Sequence, residues 1–285
     1  MSKSFHCRRC IRVFLGLALS VTRPGVGQGG DQGRATFGLY AGVSIGQQLW
    51  HISNQPLCVL QTVAGGYQCE QNAQGVVNDT LDLRRQVSVG TSIGIAVTVF
   101  GNAHLGGRVA LSYLNESLSD QCAPGAPLQP DSTEKNAQVC SSFSSRSASL
   151  GFVTLSGSLV YRLSPHHSLS PYARAGGGVA VAWGETLAAS GTFVDNGRII
   201  QRTLVRDSTA ETVKPFLDLA IGITSGLGVE SRIQIELSDL VFSVQRLVGP
   251  ADPAGTAPHA RRLVHNPSLT FGIDFVFGAH HGRRY

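Results

Sequence analysis

The chain has 285 residues, of which 42% are hydrophobic and only 14% are charged, and it contains 34 glycines. This composition departs from that of helical soluble proteins and is typical of β structure, and one large β domain accommodates the length. The formal net charge is +5, but the basic residues are scattered and do not form a stripe interleaved with aromatic side chains. A nucleic-acid-binding function is therefore not expected.

Residues 1–27 have the pattern of a secretory signal peptide. Basic residues as far as Arg12 accompany a short apolar core from Ile11 to Val21, and the small residues Gly25 and Gly27 occupy the −3 and −1 positions of a cleavage site. We expect export, cleavage near Gly27 and a short N-terminal segment at 28–34. The apolar core is too short to cross a bilayer as a helix, and no later stretch has about 18 uninterrupted apolar residues.

Eight later segments alternate apolar and polar residues with a period of two, which predicts strands with two unlike faces. In the first segment, Phe37 and Leu39 belong to the apolar face, and Thr36 and Gly38 belong to the polar face. The predicted strands, in chain order, are Ala35–Gly46, Val87–Phe100, Gly106–Leu118, Ala148–Leu163, Leu169–Trp183, Val213–Thr224, Gly228–Leu237 and Leu269–Phe277.

The connections between these strands alternate strictly between long and short. Outer-membrane barrels show this rhythm because their periplasmic turns are tight and their external loops are free to grow. A soluble β-sandwich would share the alternation of faces but does not require this order of loops. The predicted fold is therefore all-β, a closed antiparallel up-and-down transmembrane barrel of eight strands over residues 35–277, followed by a tail at 278–285.

Four cysteines remain after the predicted cleavage, and they form two pairs that are local in sequence: Cys58 with Cys69, and Cys122 with Cys140. Each pair falls within one long connection predicted to be free of strands, so we expect two disulfide-stapled external loops in an exported protein. A zinc site is the alternative. These cysteines lack the CxxC spacing of zinc sites, and the nearest histidine is His51, so no metal site is predicted.

The polar faces of the predicted strands carry charges that would point into the barrel. An eight-stranded barrel is just wide enough for its side chains to fill it, so these charges are expected to pair with one another. A narrow ion path is the alternative interpretation. The predicted interior network comprises Arg108, Arg162, Arg174, Asp218, Glu230, Arg232, Glu236 and Asp274. Aromatic anchors at the membrane interface are predicted near strand ends, at Phe37, Tyr161, Trp183 and Phe277.

Over about residues 35–277 the chain resembles the outer-membrane barrels typified by the OmpA transmembrane domain and OmpX. The resemblance rests on the signal, the loop rhythm, the segment PYARAGGG at 171–178 and the aromatic-ended LTFGIDFVF at 269–277. It implies location in the bacterial outer membrane, surrounded by lipid and lipopolysaccharide. It also implies insertion by the barrel-assembly machinery, for which either Phe277 or Tyr285 would be the terminal aromatic signal.

The function expected from these features is structural or recognition-based, with the external loops binding any extracellular ligand. No catalytic residue and no cofactor are predicted. A small pore or transporter is one alternative. A second is a lipid A esterase, because the run His51-Ile52-Ser53-Asn54 is similar to that of outer-membrane lipid A deacylases, in which His and Ser act with an acidic partner. No Glu is assigned as that third member.

Overall fold

The computed structural model describes residues 35–71, 73–77, 79–125, 134–144, 148–165, 169–183, 188–206, 212–227 and 230–277. The predicted signal peptide, the segment 28–34 and the tail 278–285 lie outside these residues. The elements are β1 (Ala35–Ser44), β2 (Gln48–Pro56), β3 (Leu60–Gln61), β4 (Tyr67–Gln68), β5 (Thr80–Phe100), β6 (Leu105–Pro124), α1 (Lys135–Ser144), β7 (Ala148–Arg162), β8 (Leu169–Trp183), β9 (Ala189–Asp195), β10 (Arg198–Val205), β11 (Val213–Gly226), β12 (Ser231–Leu247) and β13 (His259–Phe277).

Eight strands close into a ring in the order β1, β5, β6, β7, β8, β11, β12, β13, because β1 pairs with both β5 and β13. All neighbouring strands in the ring are antiparallel. The eight-stranded barrel predicted from the alternation, and the architecture implied by the resemblance to OmpA and OmpX, are confirmed. In the described residues no helix is long and apolar enough to cross a membrane.

The hydrogen-bond registers determine how far the strands are staggered. Following cross-strand partners once round the ring returns the path to β1 ten residues further along the chain, and this stagger corresponds to strands tilted by about 40°. The path runs from Ala35 through Val99, Gly107, Leu159, Ala175, Leu219, Asp239 and Pro267 to Ile45.

A continuous belt of exposed apolar side chains surrounds the barrel. Members from each strand expose 36% to 64% of their surface, and a soluble protein does not leave so large an apolar surface uncovered. They include Leu39, Ile93, Leu111, Leu159, Val179, Leu219, Ile235 and Phe271. On the outside of the barrel the belt ends just beyond Leu237 and Leu269. There His265 Nδ1 lies 2.7 Å from Asp239 Oδ2, within hydrogen-bonding distance. On each strand the belt is therefore long enough to cross a membrane, for which a tilted strand needs about nine to eleven residues.

Ile221→Arg is expected to destabilise the folded barrel in lipid vesicles by about 2–4 kcal/mol, because Ile221 is 62% exposed on β11 opposite Leu237, well inside the belt. Leu263→Arg is the matched control. Leu263 is 66% exposed on β13 beyond the Asp239–His265 pair, so its change should stay within about 0.5 kcal/mol. Urea unfolding of both variants measures the difference, and equal effects would contradict the position of the belt.

The long connections lie at one end of the barrel, which we call the outer end. At this end the hydrogen-bonded ladders between strands continue well beyond the belt. β5 begins at Thr80, β6 continues to Pro124, β12 continues to Leu247 and β13 begins at His259. The predicted connections between Leu118 and Ala148 and between Leu237 and Leu269 are therefore partly wrong, because parts of both are strand. Polar outward residues are compatible with a ladder once the strand has left the lipid, so the Ser- and Arg-rich sequence there does not end the sheet.

The long connection at 184–212, predicted as a polar loop, contains the hairpin β9–β10. Its two-residue turn is Asn196-Gly197, with φ of 48° and 75°. Positive φ at both central residues is typical of the type I′ turn, whose twist matches that of the flanking strands. The hairpin, α1 and the segment 248–258 together cover the outer end of the barrel, and we call this assembly the outer cap.

Candidate functional site in the barrel lumen and outer cap

A buried ionic network occupies the inner half of the lumen. The Arg174 guanidinium donates from Nη2 to Glu236 Oε1 at 2.8 Å and also to Asp218 Oδ2. Tyr172 donates its hydroxyl to Glu236 Oε2 at 2.6 Å, and Arg108 Nη1 lies 3.8 Å from the same oxygen. The side chains of the four charged residues are at most 6% exposed. Opposite charges are thus paired in this part of the barrel, while Arg108 Nε and Asp218 Oδ1 have no hydrogen-bond partner among the described residues.

The other predicted interior charges divide between the lumen and the solvent. Arg162 lies in the lumen with its guanidinium carbon 3.6 Å from the centre of the Phe100 ring, and Arg232 and Asp274 are cross-strand partners on β12 and β13. Glu230 is exposed and precedes the first residue of β12, so its assignment to the interior is wrong. The alternating sequence pattern continues into the turn, where no ladder fixes the direction of a side chain.

An apolar layer separates the polar half of the lumen from the outer end. Phe242 stacks with Phe152 at 5.7 Å between ring centroids and with Phe216 at 5.4 Å. Further buried side chains continue this layer outward, among them Val87, Leu114, Leu118, Trp50, Leu83 and Leu81. The interior of the outer half therefore combines this apolar layer with buried charged groups, such as Glu116 and the Arg85–Asp120 pair. A cavity of only about 40 Å³ adjoins the layer on each side, too small for an aqueous channel.

The helix of the outer cap is hydrogen-bonded to the hairpin. Ser142 Oγ accepts the backbone N–H of Thr192 at 2.8 Å, and Gln138 Oε1 accepts the backbone N–H of Val194 at 2.7 Å. Apolar side chains between the helix and the hairpin are buried: Val139, Phe143, Phe193, Leu204 and Val205. The helix side chains therefore satisfy backbone donors along β9, which would otherwise be an open sheet edge.

Two further sets of contacts attach the cap to the barrel. The side-chain amide of Gln55 on β2 accepts the N–H of Ala251 at 2.7 Å and donates to its carbonyl at 3.2 Å. Arg85 forms a bidentate pair with Asp120 at 2.6 and 2.7 Å, and it donates to the carbonyl of Ala188 at 3.0 Å. The three side chains that form or support these contacts, Gln55, Arg85 and Asp120, are at most 5% exposed. The cap is therefore packed as part of the barrel.

The cysteine sulfurs lie at bonding distance in the predicted pairs, Cys58 with Cys69 and Cys122 with Cys140. Cys122 does not lie in a loop as predicted. It belongs to β6 and faces Leu83 of β5, whereas Cys140 belongs to α1. The second disulfide therefore attaches the cap helix directly to the barrel wall.

Replacing both Cys122 and Cys140 with serine is expected to reduce the free energy of unfolding by about 2–4 kcal/mol, because the bond closes a loop with a sequence separation of 18. Chemical denaturation of the oxidised protein and the double variant measures this effect. The matched control replaces Cys58 and Cys69, which join two ends of a single loop. A larger loss in that control than in the Cys122/Cys140 variant would contradict attachment of the cap by the second disulfide.

The predicted aromatic anchors lie on the outer face of the barrel. Tyr161 and Phe277 are 49% and 57% exposed near the inner end, and Phe37 is half-buried on the same face. Trp183 is 48% exposed towards the outer end and stacks on Tyr113 with 5.8 Å between ring centroids. These positions are near the two edges of the belt, where headgroup contact is expected, and their role as anchors stays a prediction.

The His51–Ser53 pair lies on the outward face of β2, beyond the belt. Ser53 Oγ is 3.3 Å from His51 Nε2, which is hydrogen-bonding distance. The carboxylate nearest in the register is that of Asp82, whose Oδ1 accepts the backbone N–H of Asn54 at 2.9 Å. The structure thus brings together two of the three groups required for an esterase. Among the residues that the structure describes, no three His, Cys, Asp or Glu side chains are grouped to hold a metal ion.

The geometry defines the class of the protein. A closed antiparallel ring has no open sheet edge within the membrane, and the apolar belt faces lipid while polar groups are paired inside. Short connections lie at one end of the ring and long ones at the other. The chain is therefore a transmembrane β-barrel protein of the bacterial outer membrane.

No protein-family model matches the chain, and no curated protein matches it in sequence. Several solved structures match its fold. The outer membrane protein OprG from Pseudomonas aeruginosa is 9% identical, with a TM-score of 0.47 over 88% of this chain and 99% of that chain. Neisserial surface protein A is 9% identical, with a TM-score of 0.39 over 85% and 96%. Ail of Yersinia pestis is 10% identical, with a TM-score of 0.36 over 87% and 100%.

Proposed function

We propose that this protein is a non-enzymatic outer-membrane barrel whose sealed lumen supports a rigid outer cap, and that the cap binds an extracellular partner. The observation that carries the proposal is the apolar layer around Phe242, which continues without interruption into the core of the cap. Such a lumen stabilises a platform, and the two cavities beside the layer, of about 40 Å³ each among the described residues, favour a sealed interior over a pore. The proposal includes lipid and lipopolysaccharide around the belt, and the barrel-assembly machinery as the partner that inserts the barrel.

The tip of the β9–β10 hairpin is the strongest candidate for the contact surface. Val194 and Ile199 are cross-strand partners next to the turn, and they are 48% and 79% exposed. Arg198 is exposed beside them. A rigid hairpin that presents apolar side chains next to a cation loses little conformational entropy on binding, and this favours a recognition role.

The recognition proposal is tested with cells that display the wild type or the Val194→Ser, Ile199→Ser double variant. Binding to an immobilised panel of extracellular-matrix proteins and glycans is measured. The double variant should bind its ligand at least ten-fold more weakly, because burying each apolar side chain contributes about 1.5–3 kcal/mol. The control Val63→Ser changes a fully exposed side chain outside the hairpin and should bind normally. Equal binding of all three proteins would exclude the hairpin tip as the recognition surface.

The sealed lumen distinguishes this proposal from the pore alternative. Purified protein inserted into planar lipid bilayers should show no stable single-channel conductance. Channel steps whose size changes in an Asp218→Asn variant would contradict the proposal, because Asp218 is buried in the lumen, pairs with Arg174 there and lines one of its cavities. A porin of known conductance serves as the control for insertion.

A second candidate function follows from the hydrogen bond between Ser53 and His51. A serine next to a histidine base is the arrangement that activates a nucleophile for acyl transfer. If the pair is catalytic, purified protein will release fatty acid from lipopolysaccharide, and both His51→Ala and Ser53→Ala will abolish the release. Absence of release by the wild type would eliminate this candidate.

A further inference from the structure

A cavity of about 40 Å³ lies in the polar half of the lumen, on the inner side of the phenylalanine layer. Arg108, Arg174, Asp218 and Glu236 of the ionic network line it, together with hydroxyl-bearing residues such as Ser92. We call this space the lumen cavity. Its volume corresponds to about three water molecules, and a buried cavity holds water where its wall offers several polar partners. The lumen cavity therefore has both the size and the lining of a water-binding site.

Three residues that line the lumen cavity each have one buried polar atom with no hydrogen-bond partner among the described residues. These atoms are Ser92 Oγ, Arg108 Nε and Asp218 Oδ1. Arg108 and Asp218 are only 6% and 2% exposed, and the second oxygen of Asp218 already accepts from Arg174. Buried polar atoms are nearly always hydrogen-bonded, either to protein or to ordered water. A further partner is therefore required in this cavity.

The chemistry of these atoms defines what that partner must do. It must accept a hydrogen bond from Arg108 Nε and donate one to Asp218 Oδ1. A metal ion cannot accept the first bond, and a simple anion cannot donate the second. The charged residues that line the cavity are two arginines and two carboxylates, so an added ion would be buried without a counter-charge. Water both donates and accepts, and it adds no charge.

We propose that the lumen cavity binds a cluster of about three ordered water molecules, which complete the ionic network of the barrel. The cluster is a hydrogen-bonded chain from Arg108 Nε to Asp218 Oδ1, and the Ser92 hydroxyl bonds to it. Leu114, Phe216 and Leu240 line the same cavity and close it towards the outer end. The lumen is thus hydrated inside the membrane without a water column that reaches the outer surface. The water is a structural component of the fold, as conserved hydrogen-bonding groups of the chain would be.

Two variants of almost identical shape test whether the lumen cavity is wet. Ala110 is 5% exposed and lines the cavity, and it is replaced by threonine in one variant and by valine in the other. The threonine hydroxyl can take the place of a water, whereas the valine methyl displaces water and satisfies no polar atom. Urea unfolding of the full chain in lipid vesicles should therefore give Ala110→Thr a folding equilibrium constant at least about five-fold larger than that of Ala110→Val. Any cost of overpacking is common to both variants and cancels in the ratio.

The same pair of substitutions at Ala180 is the matched control. Ala180 is completely buried and belongs to the apolar core, so valine should there be more stable than threonine. Equal stability of the two Ala110 variants, or greater stability of Ala110→Val, would show that the cavity is dry and overturn the proposal. A preference for threonine at both positions would overturn it too, because the preference would then not depend on the cavity.

A second measurement uses the wild type alone and so does not depend on the folding of any variant. A crystal structure at a resolution that reveals buried water should show density peaks in the lumen cavity, within hydrogen-bonding distance of Arg108 Nε and Asp218 Oδ1. If instead these two atoms are hydrogen-bonded to protein groups, or no peak lies between them, the proposal is wrong.

Discussion

Glu236→Ala should lower the free energy of unfolding by about 3–5 kcal/mol, because it removes the carboxylate that pairs with Arg174 and approaches Arg108 in the lumen. Both guanidiniums would stay almost completely buried, and Tyr172 would lose the acceptor of its hydroxyl. The measurement is urea unfolding in lipid vesicles, followed by circular dichroism. In a variant that already lacks Arg174, Glu236→Ala should lower the free energy of unfolding by less, since the two residues share one network.

Glu230→Ala is the matched control for this experiment. Both glutamates were predicted from the sequence to face the lumen, but Glu230 is exposed before β12 begins. Its replacement should change the free energy of unfolding by no more than about 0.5 kcal/mol. If both variants lose the same stability, the buried network does not hold the inner half of the barrel together.

Phe242→Ala should have an effect of similar size, a loss of about 3–5 kcal/mol. Its ring is 4% exposed, stacks on Phe152 and packs at a tilt against Phe216. Truncation therefore leaves a cavity in this layer, and the surrounding strands cannot move inward to close that cavity. The same denaturation measurement applies. The layer links the barrel to the cap, so the cap of this variant should also become more sensitive to protease at the outer surface of intact cells.

Leu263→Ala provides the comparison for Phe242→Ala. Leu263 is on the neighbouring strand β13, directly across from Ser243, but it is 66% exposed. Its truncation should cost less than about 0.5 kcal/mol. A loss for Phe242→Ala as small as that of the control would mean that the outer half of the lumen is not a packed apolar core.

The membrane-crossing part of the fold was predictable because lipid imposes a strict rule on each strand. Every second side chain between Leu269 and Phe277 must be apolar, and the residues between them face a filled lumen. The same rule assigns Arg174, Asp218 and Glu236 to the polar face, and all three side chains are buried. It does not define where a ladder ends, and this is why Glu230 was assigned to the wrong environment.

Beyond the belt the rule no longer applies, and the outer half of the structure was not predicted. Outward positions there carry apolar as well as polar residues, for example Val153 next to the inward Phe152 and Val241 next to the inward Phe242, so the period of two is lost. Uninterrupted apolar stretches of this kind are typical of strands buried on both faces. One signal was available: Asn196-Gly197 between alternating apolar residues is the strongest short-range sign of a hairpin.

The central claim is that the chain forms a closed barrel in the outer membrane. It is tested most directly by gel mobility of the isolated outer-membrane fraction, with and without heating in SDS. A closed ring has all its ladder bonds internal and resists SDS until boiled, so the unheated protein should migrate faster than the heated protein. Recovery of the protein in the soluble periplasmic fraction, with the same mobility before and after heating, would contradict the claim.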